Sequence, residues 1–267
     1  MVDSGVRSAA VAGVFYPGEA VMLAQMVDAF LAALPEPEKL PRCPKAFVVP
    51  HAGLVYSGPV AAYAYQQIQH WQHSAGWRRV VVLGPNHRVP LSGLAGVEDS
   101  AWQTPLGRVS VDTEFQHGLQ RQFDLQIRPD AHRLEHCIEV QLPFLQQVLP
   151  EASLMPLLVG QAPVQYVASL IQYLWSLEGV LVLISSDLSH YHPWQEARQL
   201  DRATSKMICN LQSRVQPEQA CGCYALNGLL KAARGENLTL KCLHRATSGD
   251  TAGDKASVVG YGAYVCY

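Results

Sequence analysis

The stretch Phe47-Val48-Val49-Pro50-His51-Ala52-Gly53 decides how the chain is read. Three apolar residues meet a proline, a histidine and a small pair ending in glycine. The apolar run reads as a buried strand, and Pro50 and Gly53 punctuate its end. His51 then stands at the carboxyl end of a sheet strand, where open α/β folds put their chemistry. The pattern recurs at Val80-Val81-Val82-Leu83-Gly84-Pro85-Asn86-His87. With an acid added, it recurs at Val180-Leu181-Val182-Leu183-Ile184-Ser185-Ser186-Asp187-Leu188-Ser189-His190. Three apolar runs each deliver a histidine to a loop.

Around these runs the sequence alternates between strand and helix signals. Residues 10–18 read as an extended segment ending in a Pro-Gly turn. Leu23, Met26, Val27, Phe30 and Leu31 are spaced for one face of a helix over 19–34, stopped by Pro35. Pro59 is suited to the first turn of a helix running to about Trp71. Residues 91–97 and 107–111 read as short strands, with a loop at 102–106 between them. Asp112 is placed to cap a helix reaching about Phe123. The polar segment 130–136 leads into a helix carrying Ile138, Leu142, Leu145 and Val148. A strand over 154–159 and helices over 163–175 and 194–211 follow. Cys221-Gly222 opens another helix, and strands over 238–243 and 257–267 close the chain. No linker divides it. These signals predict one α/β domain over residues 1–267, a three-layer α/β/α sandwich with a central mixed sheet.

Composition narrows the function classes. Hydrophobic residues make up 49% of the 267 and charged residues 16%, enough for a well-buried core. The net charge is -2 and there is no basic stripe, so nucleic acid is not expected as a partner. No apolar stretch approaches the roughly 18 residues of a membrane span. Residues 1–7 lack the basic-then-apolar layout of a leader, and a cytoplasmic location is expected. The seven cysteines, at 43, 137, 209, 221, 223, 242 and 266, are odd in number and irregular in spacing. They read as buried thiols, one of them a candidate ligand or nucleophile, and not as a disulfide framework.

The chemistry rests on few side chains. A lone histidine after an apolar run is commonly a hydrogen-bonded structural residue. His51, His87 and His190 gain weight together, because strand ends of one sheet converge on one crevice. Two neutral imidazoles plus an anionic ligand suit a divalent transition metal with open positions. The anion could be Asp187, Glu135 or a thiolate, and spacing does not choose among them. Glu135 and Glu139 are four apart, which on a helix places them on one face. They read either as a solvated first turn or as support for His136 acting as general acid or base. Cys221, before an apolar helix, is either an activated thiolate or a plain cap-region cysteine.

Taken in order, the motifs resemble those of the Memo family. Ala12-Gly13-Val14-Phe15-Tyr16-Pro17, Pro50-His51-Ala52-Gly53 with Tyr56-Ser57-Gly58, and Leu83-Gly84-Pro85-Asn86-His87 carry the first half of the resemblance. Residues 135–144, the run Ser185 to Tyr191, and Cys221-Gly222 carry the second. The resemblance implies a fold similar to class III extradiol dioxygenases of the LigB type, which hold non-haem Fe(II) by two histidines and a glutamate. In the Memo family a cysteine stands in the glutamate's place. Carried over, this implies His51, His87 and Cys221 as metal ligands, with His136, Asp187 and His190 as catalytic residues around them. The implied metal is Fe(II), with Zn or Cu as alternatives. Prokaryotic relatives are also called AmmeMemoRadiSam system protein B, which implies AMMECR1-type and radical SAM proteins as partners. Two positions depart from the pattern: Arg88 follows His87, and Cys223 adds a second thiol near Cys221.

Three functions follow. The first is a non-haem iron protein with redox or oxygen-dependent activity on an unknown small molecule. The second is a non-catalytic binding module that holds a peptide or partner protein in the same pocket. The third is a metal-free hydrolase with Cys221 as nucleophile and a histidine base.

Overall fold

All three apolar runs form strands, and they end side by side. The computed structural model describes residues 5–267. The first half of the chain forms β1 (Val6–Arg7), α1 (Ala20–Ala32), β2 (Ala46–Val49), α2 (Leu54–Ala75), β3 (Arg79–Gly84), β4 (Leu94–Gly96), β5 (Ala101–Thr104) and β6 (Gly107–Ser110). Next come α3 (Thr113–Gln120), β7 (Leu125–Ile127), α4 (Pro129–Arg133), a 3-10 turn (Glu139–Gln141), α5 (Leu142–Val148), β8 (Ser153–Val159) and α6 (Val164–Trp175). The last third holds β9 (Val180–Ser185), β10 (His190–His192), α7 (Trp194–Cys209), α8 (Cys223–Gly235), β11 (Leu240–Thr247), α9 (Ser248–Thr251) and β12 (Val258–Cys266).

Strands β2, β9, β3 and β8 lie next to one another and run parallel. Val49 is level with Ser185, and Leu83 with Ile184, so three strands release their loops along one edge. β12 joins β2 antiparallel, and β4 joins β8 antiparallel, which makes the sheet mixed as the sequence predicts. β10 and β11 both pair with β12, and β7 extends the far side through β4. Strands β1, β5 and β6 form a separate small sheet.

The runs are uniformly apolar because both faces of the sheet are covered. Phe47, Val49, Val80, Val82, Leu181 and Leu183 share a core with Leu23 of α1, Tyr65 and Ile68 of α2, and Phe144 of α5. Their alternates Val48, Val81, Leu83, Val182 and Ile184 pack with Val167 and Leu170 of α6 and Leu226 and Leu229 of α8. The period of two along each strand thus feeds two helical layers. Gly228 lets α8 approach α6, since a Cβ there would lie 2.3 Å from Val167 Cγ1. No helix among the described residues is long and apolar enough to cross a membrane.

The structure differs from the sequence expectation at four places. Residues 10–17 are a tight turn, not an extended segment: Phe15 N donates to Val11 O at 2.8 Å, and Gly13 takes φ +77°. α2 begins at Leu54, so Pro59 lies inside it and removes the bond to the Val55 carbonyl. Trp102 belongs to strand β5 and is buried, with the Arg7 guanidinium 4.1 Å from its ring centroid. The helix expected through Glu135 is interrupted, and residues 134–138 bridge α4 to the 3-10 turn. Glu135 and Glu139 are therefore not on one solvated face, and both are buried.

Buried His132 of α4 supplies a pH test. Its Nε2 donates to Ala95 O at 3.0 Å, and Nδ1 has no partner among the described residues. Burial pushes its pKa down to about 4. The unfolded chain, with a histidine near 6.5, takes up this proton first as pH falls. The stabilisation is therefore present above pH ~6.5 and is lost towards pH ~4, by up to about 3 kcal/mol. Urea denaturation between these limits is expected to show a steeper loss for wild type than for His132→Gln. Equal slopes would contradict the assignment.

Candidate metal centre

His51 follows β2 and is fixed at both ends. Its backbone N donates to Asp187 Oδ1 at 2.8 Å, and its ring Nδ1 lies 2.8 Å from Ser185 Oγ. Ser185 gives its single hydroxyl hydrogen to Cys137 O at 2.6 Å. The proton between Ser185 and His51 therefore sits on Nδ1. His51 Nε2 is left as the unprotonated nitrogen, an acceptor 3.3 Å from the Cys221 thiol and 4.0 Å from Asp187 Oδ2. Burial, helped by the imidazoles of His87 and His136, holds the His51 pKa well below its ordinary value.

Glu135 organises the other two imidazoles. Oε2 accepts the His87 backbone N–H at 2.6 Å, and Oε1 accepts His87 Nδ1–H at 2.9 Å. Oε1 also accepts the backbone N–H groups of His136 and Cys137, at 2.8 and 3.1 Å. Burial alone would raise this carboxyl. The bonds and charge from His136 and His87 outweigh it and hold the group well below the carboxylate range. With Nδ1 occupied, His87 also offers Nε2. His136 Nδ1 also lies 3.1 Å from Glu135 Oε1. Phe15, from the tight turn, packs against the His136 ring at 4.7 Å between centroids.

The ligand atoms of His51, His87 and His136 all lie within 4.8 Å of one another. Ring centroids are 5.3 Å apart for His51–His87, 5.4 Å for His51–His136 and 4.9 Å for His87–His136. Cys221 lies just before α8, whose N-cap Gly222 has no room for a Cβ: one would meet Ser185 O at 2.7 Å. Its Sγ accepts the Asp187 N–H at 3.2 Å and touches His51, but it falls outside the tight three-imidazole grouping. Burial and the Asp187 charge push the thiol up, so of the two sequence alternatives the activated thiolate is not what the free site holds. Cys223, the first residue of α8, is packed in the core and does not line the cleft.

These side chains line one cleft of about 990 Å³, which also includes Asp187, His190, Tyr56, Tyr191 and Val14. The candidates His51, His87, His136, Asp187, His190 and Cys221 all line it, while Glu135 lies behind His87 and His136. The roles of Ser185 and of Glu135 as a shared bracket are visible only in three dimensions. Glu135 was legible as one of three possible anions, and Ser185 carried no signal. Unprotonated imidazole nitrogens meeting beside a thiol form a donor set that fits a transition-metal cation.

Fold and site together define a three-layer α/β/α protein with a histidine and cysteine cluster at the carboxyl ends of its parallel strands. The chain belongs to the Memo family: the family described as Memo-like protein matches residues 7–265. A MEMO1 family protein of Sulfolobus acidocaldarius is 37% identical over 96% of this chain and 97% of its own length. One from Methanopyrus kandleri is 34% identical over 97% and 98%. Among solved structures, the uncharacterized protein JW3007 from Escherichia coli K12 superposes with a TM-score of 0.53. It covers 84% of this chain and all of its own at 13% identity, a likeness of fold alone.

Proposed function

We propose that the cleft holds a divalent transition metal, Fe(II) in the first place, through His51, His87 and Cys221. On this reading the protein performs redox or oxygen-dependent chemistry on a small molecule. The observation that carries it is the convergence of imidazole nitrogens, mutually within 4.8 Å, whose Nδ1 atoms on His51 and His87 are bonded from behind. When bound, such a metal supplies Lewis acidity, redox chemistry and open coordination positions. Glu135 and Ser185 hold the tautomers that present Nε2. Asp187 fixes the His51 backbone, and His136 and His190 face the cleft where protons would be moved. His136 competes with Cys221 for the third position.

The test is metal analysis of anaerobically purified chain, with about one ion per chain expected. A folded, metal-free chain overturns the reading. Cys221→Ser against His136→Ala assigns the third ligand. Glu135→Gln keeps size but weakens the bracket on His87, and metal affinity measured by chelator competition is expected to fall about 10–100-fold. An unchanged affinity would remove Glu135 from that role.

The rim favours a second reading. Val14 is 79% exposed and Tyr191 78%, and both line the cleft. Paired apolar groups at a mouth suit a binding module. A ligand that binds equally to metal-free His51→Ala protein would favour the module over the enzyme. The hydrolase reading is weakest: His51 Nδ1 is bonded to a serine, not a carboxylate, and burial keeps both Cys221 and His51 neutral.

A further inference from the structure

Away from the cleft, one face of α7 is lined with arginine. Trp194, Arg198 and Arg202 recur at four-residue spacing, with Gln195 and Gln199 beside them. Arg245 of β11 forms the facing wall. These six residues enclose a groove of about 340 Å³ whose lining contains no carboxylate. On a chain of net charge -2, that is a concentrated positive site.

The charges are only partly compensated, Asp250 feeling Arg198 and Asp201 feeling Arg245 from outside the groove lining. The Arg202 side chain makes no hydrogen bond or ion pair among the described residues. Arg198 lies over the Trp194 ring, 4.6 Å from its centroid, and Lys255 lies 4.5 Å from the same centroid. Trp194 is held in place by donating Nε1–H to Asp250 Oδ1 at 2.7 Å. Arg245 Nη1 is buried without a hydrogen-bond partner among the described residues. Asp201, the buried acid of α7 that feels the Arg245 charge, spends Oδ1 on the Ser189 backbone N–H at 3.0 Å.

We propose that this groove is an oxyanion site for phosphate or a small phosphate monoester. A carboxylate offers two oxygens and a single charge, enough for one guanidinium fork. A phosphate monoester carries about -1.5 to -2 charges on three terminal oxygens. Three guanidinium groups with two side-chain amides match the second donor demand. The groove is at the small end of ligand pockets, which fits a compact ligand.

Calorimetric titration of the full chain with inorganic phosphate, glycerol 2-phosphate and acetate tests this. Arg198→Gln and Arg202→Gln, both exposed positions, are each expected to weaken phosphate binding about tenfold. His51→Ala is expected to leave it unchanged, which separates this groove from the histidine cleft. Tighter binding of glycerol 2-phosphate assigns the ester, and tighter binding of phosphate assigns the free ion. No binding by wild type, equal binding of acetate, unchanged affinity in both arginine variants, or loss in His51→Ala would each overturn the proposal.

Discussion

His51→Ala and His87→Ala are each expected to reduce bound metal in anaerobically purified protein from about one ion per chain to a small fraction of that. The two residues are the only proposed ligands whose tautomers are fixed from behind, His51 by Ser185 and His87 by Glu135. Both follow strand ends and contribute no apolar core surface, so the sheet and its two helical layers remain. Far-ultraviolet circular dichroism should therefore match wild type. Metal retained at the wild-type level in either variant would move the site away from the imidazole cluster. Serine at 221 is expected to lower metal content less sharply if His136 supplies the third donor. Comparing these three variants with His136→Ala thus reads both the existence of the site and its composition.

Glu139→Ala is expected to cost about 3–5 kcal/mol of folding stability, a large share of the roughly 5–15 kcal/mol typical of a domain. Glu139 is fully buried and accepts from Arg7 Nη1 at 2.6 Å, Tyr16 Oη at 2.6 Å, and the backbone N–H groups of Ala10 and Val11 at 3.0 and 2.9 Å to Oε1. Removing it strands the Arg7 guanidinium, which also donates to the backbone carbonyls of His132 and Glu135. Four donors lose an acceptor at once. Burial, with Glu139 adding, pushes the Tyr16 phenol well above its ordinary pKa, so Tyr16 remains a donor throughout the neutral range. Urea denaturation measures the loss, and a change below about 1 kcal/mol would show the cluster to be dispensable. The same variant should loosen the turn that presses Phe15 on His136, so metal affinity and stability are expected to fall together.

The sheet was legible because its central strands are apolar on both faces and end in proline or glycine, as at Val49-Pro50 and Gly84-Pro85. His51 and His87 were legible as cleft residues because strand ends are where an open α/β fold gathers its loops, whereas pattern left Cys221 open and only the family resemblance singled it out. Glu139 was misread because a carboxylate four residues from another looks like a helix surface. Only its partners, more than 120 residues earlier in the chain, reveal it as an anchor. Trp102 was misread for a related reason: its neighbours Gln103, Thr104 and Pro105 look like a loop, while a strand at β1 and a guanidinium 95 positions away hold it in place. Local spacing carries no record of such distant partners.

The placement of β9 between β2 and β3 determines how the two histidines meet. Adjacent strands lie about 4.8 Å apart, so the ends of β2 and β3 begin roughly 10 Å from each other. His51 and His87 must lean inward over the end of β9 to bring their rings to 5.3 Å. That middle strand acts as a keystone. Ser185 and Asp187 fill the span beneath the arch and tie His51 to it. A residue inserted between Gly84 and His87 would lengthen one side of the arch while leaving the strands intact, and would separate the donors without unfolding the protein.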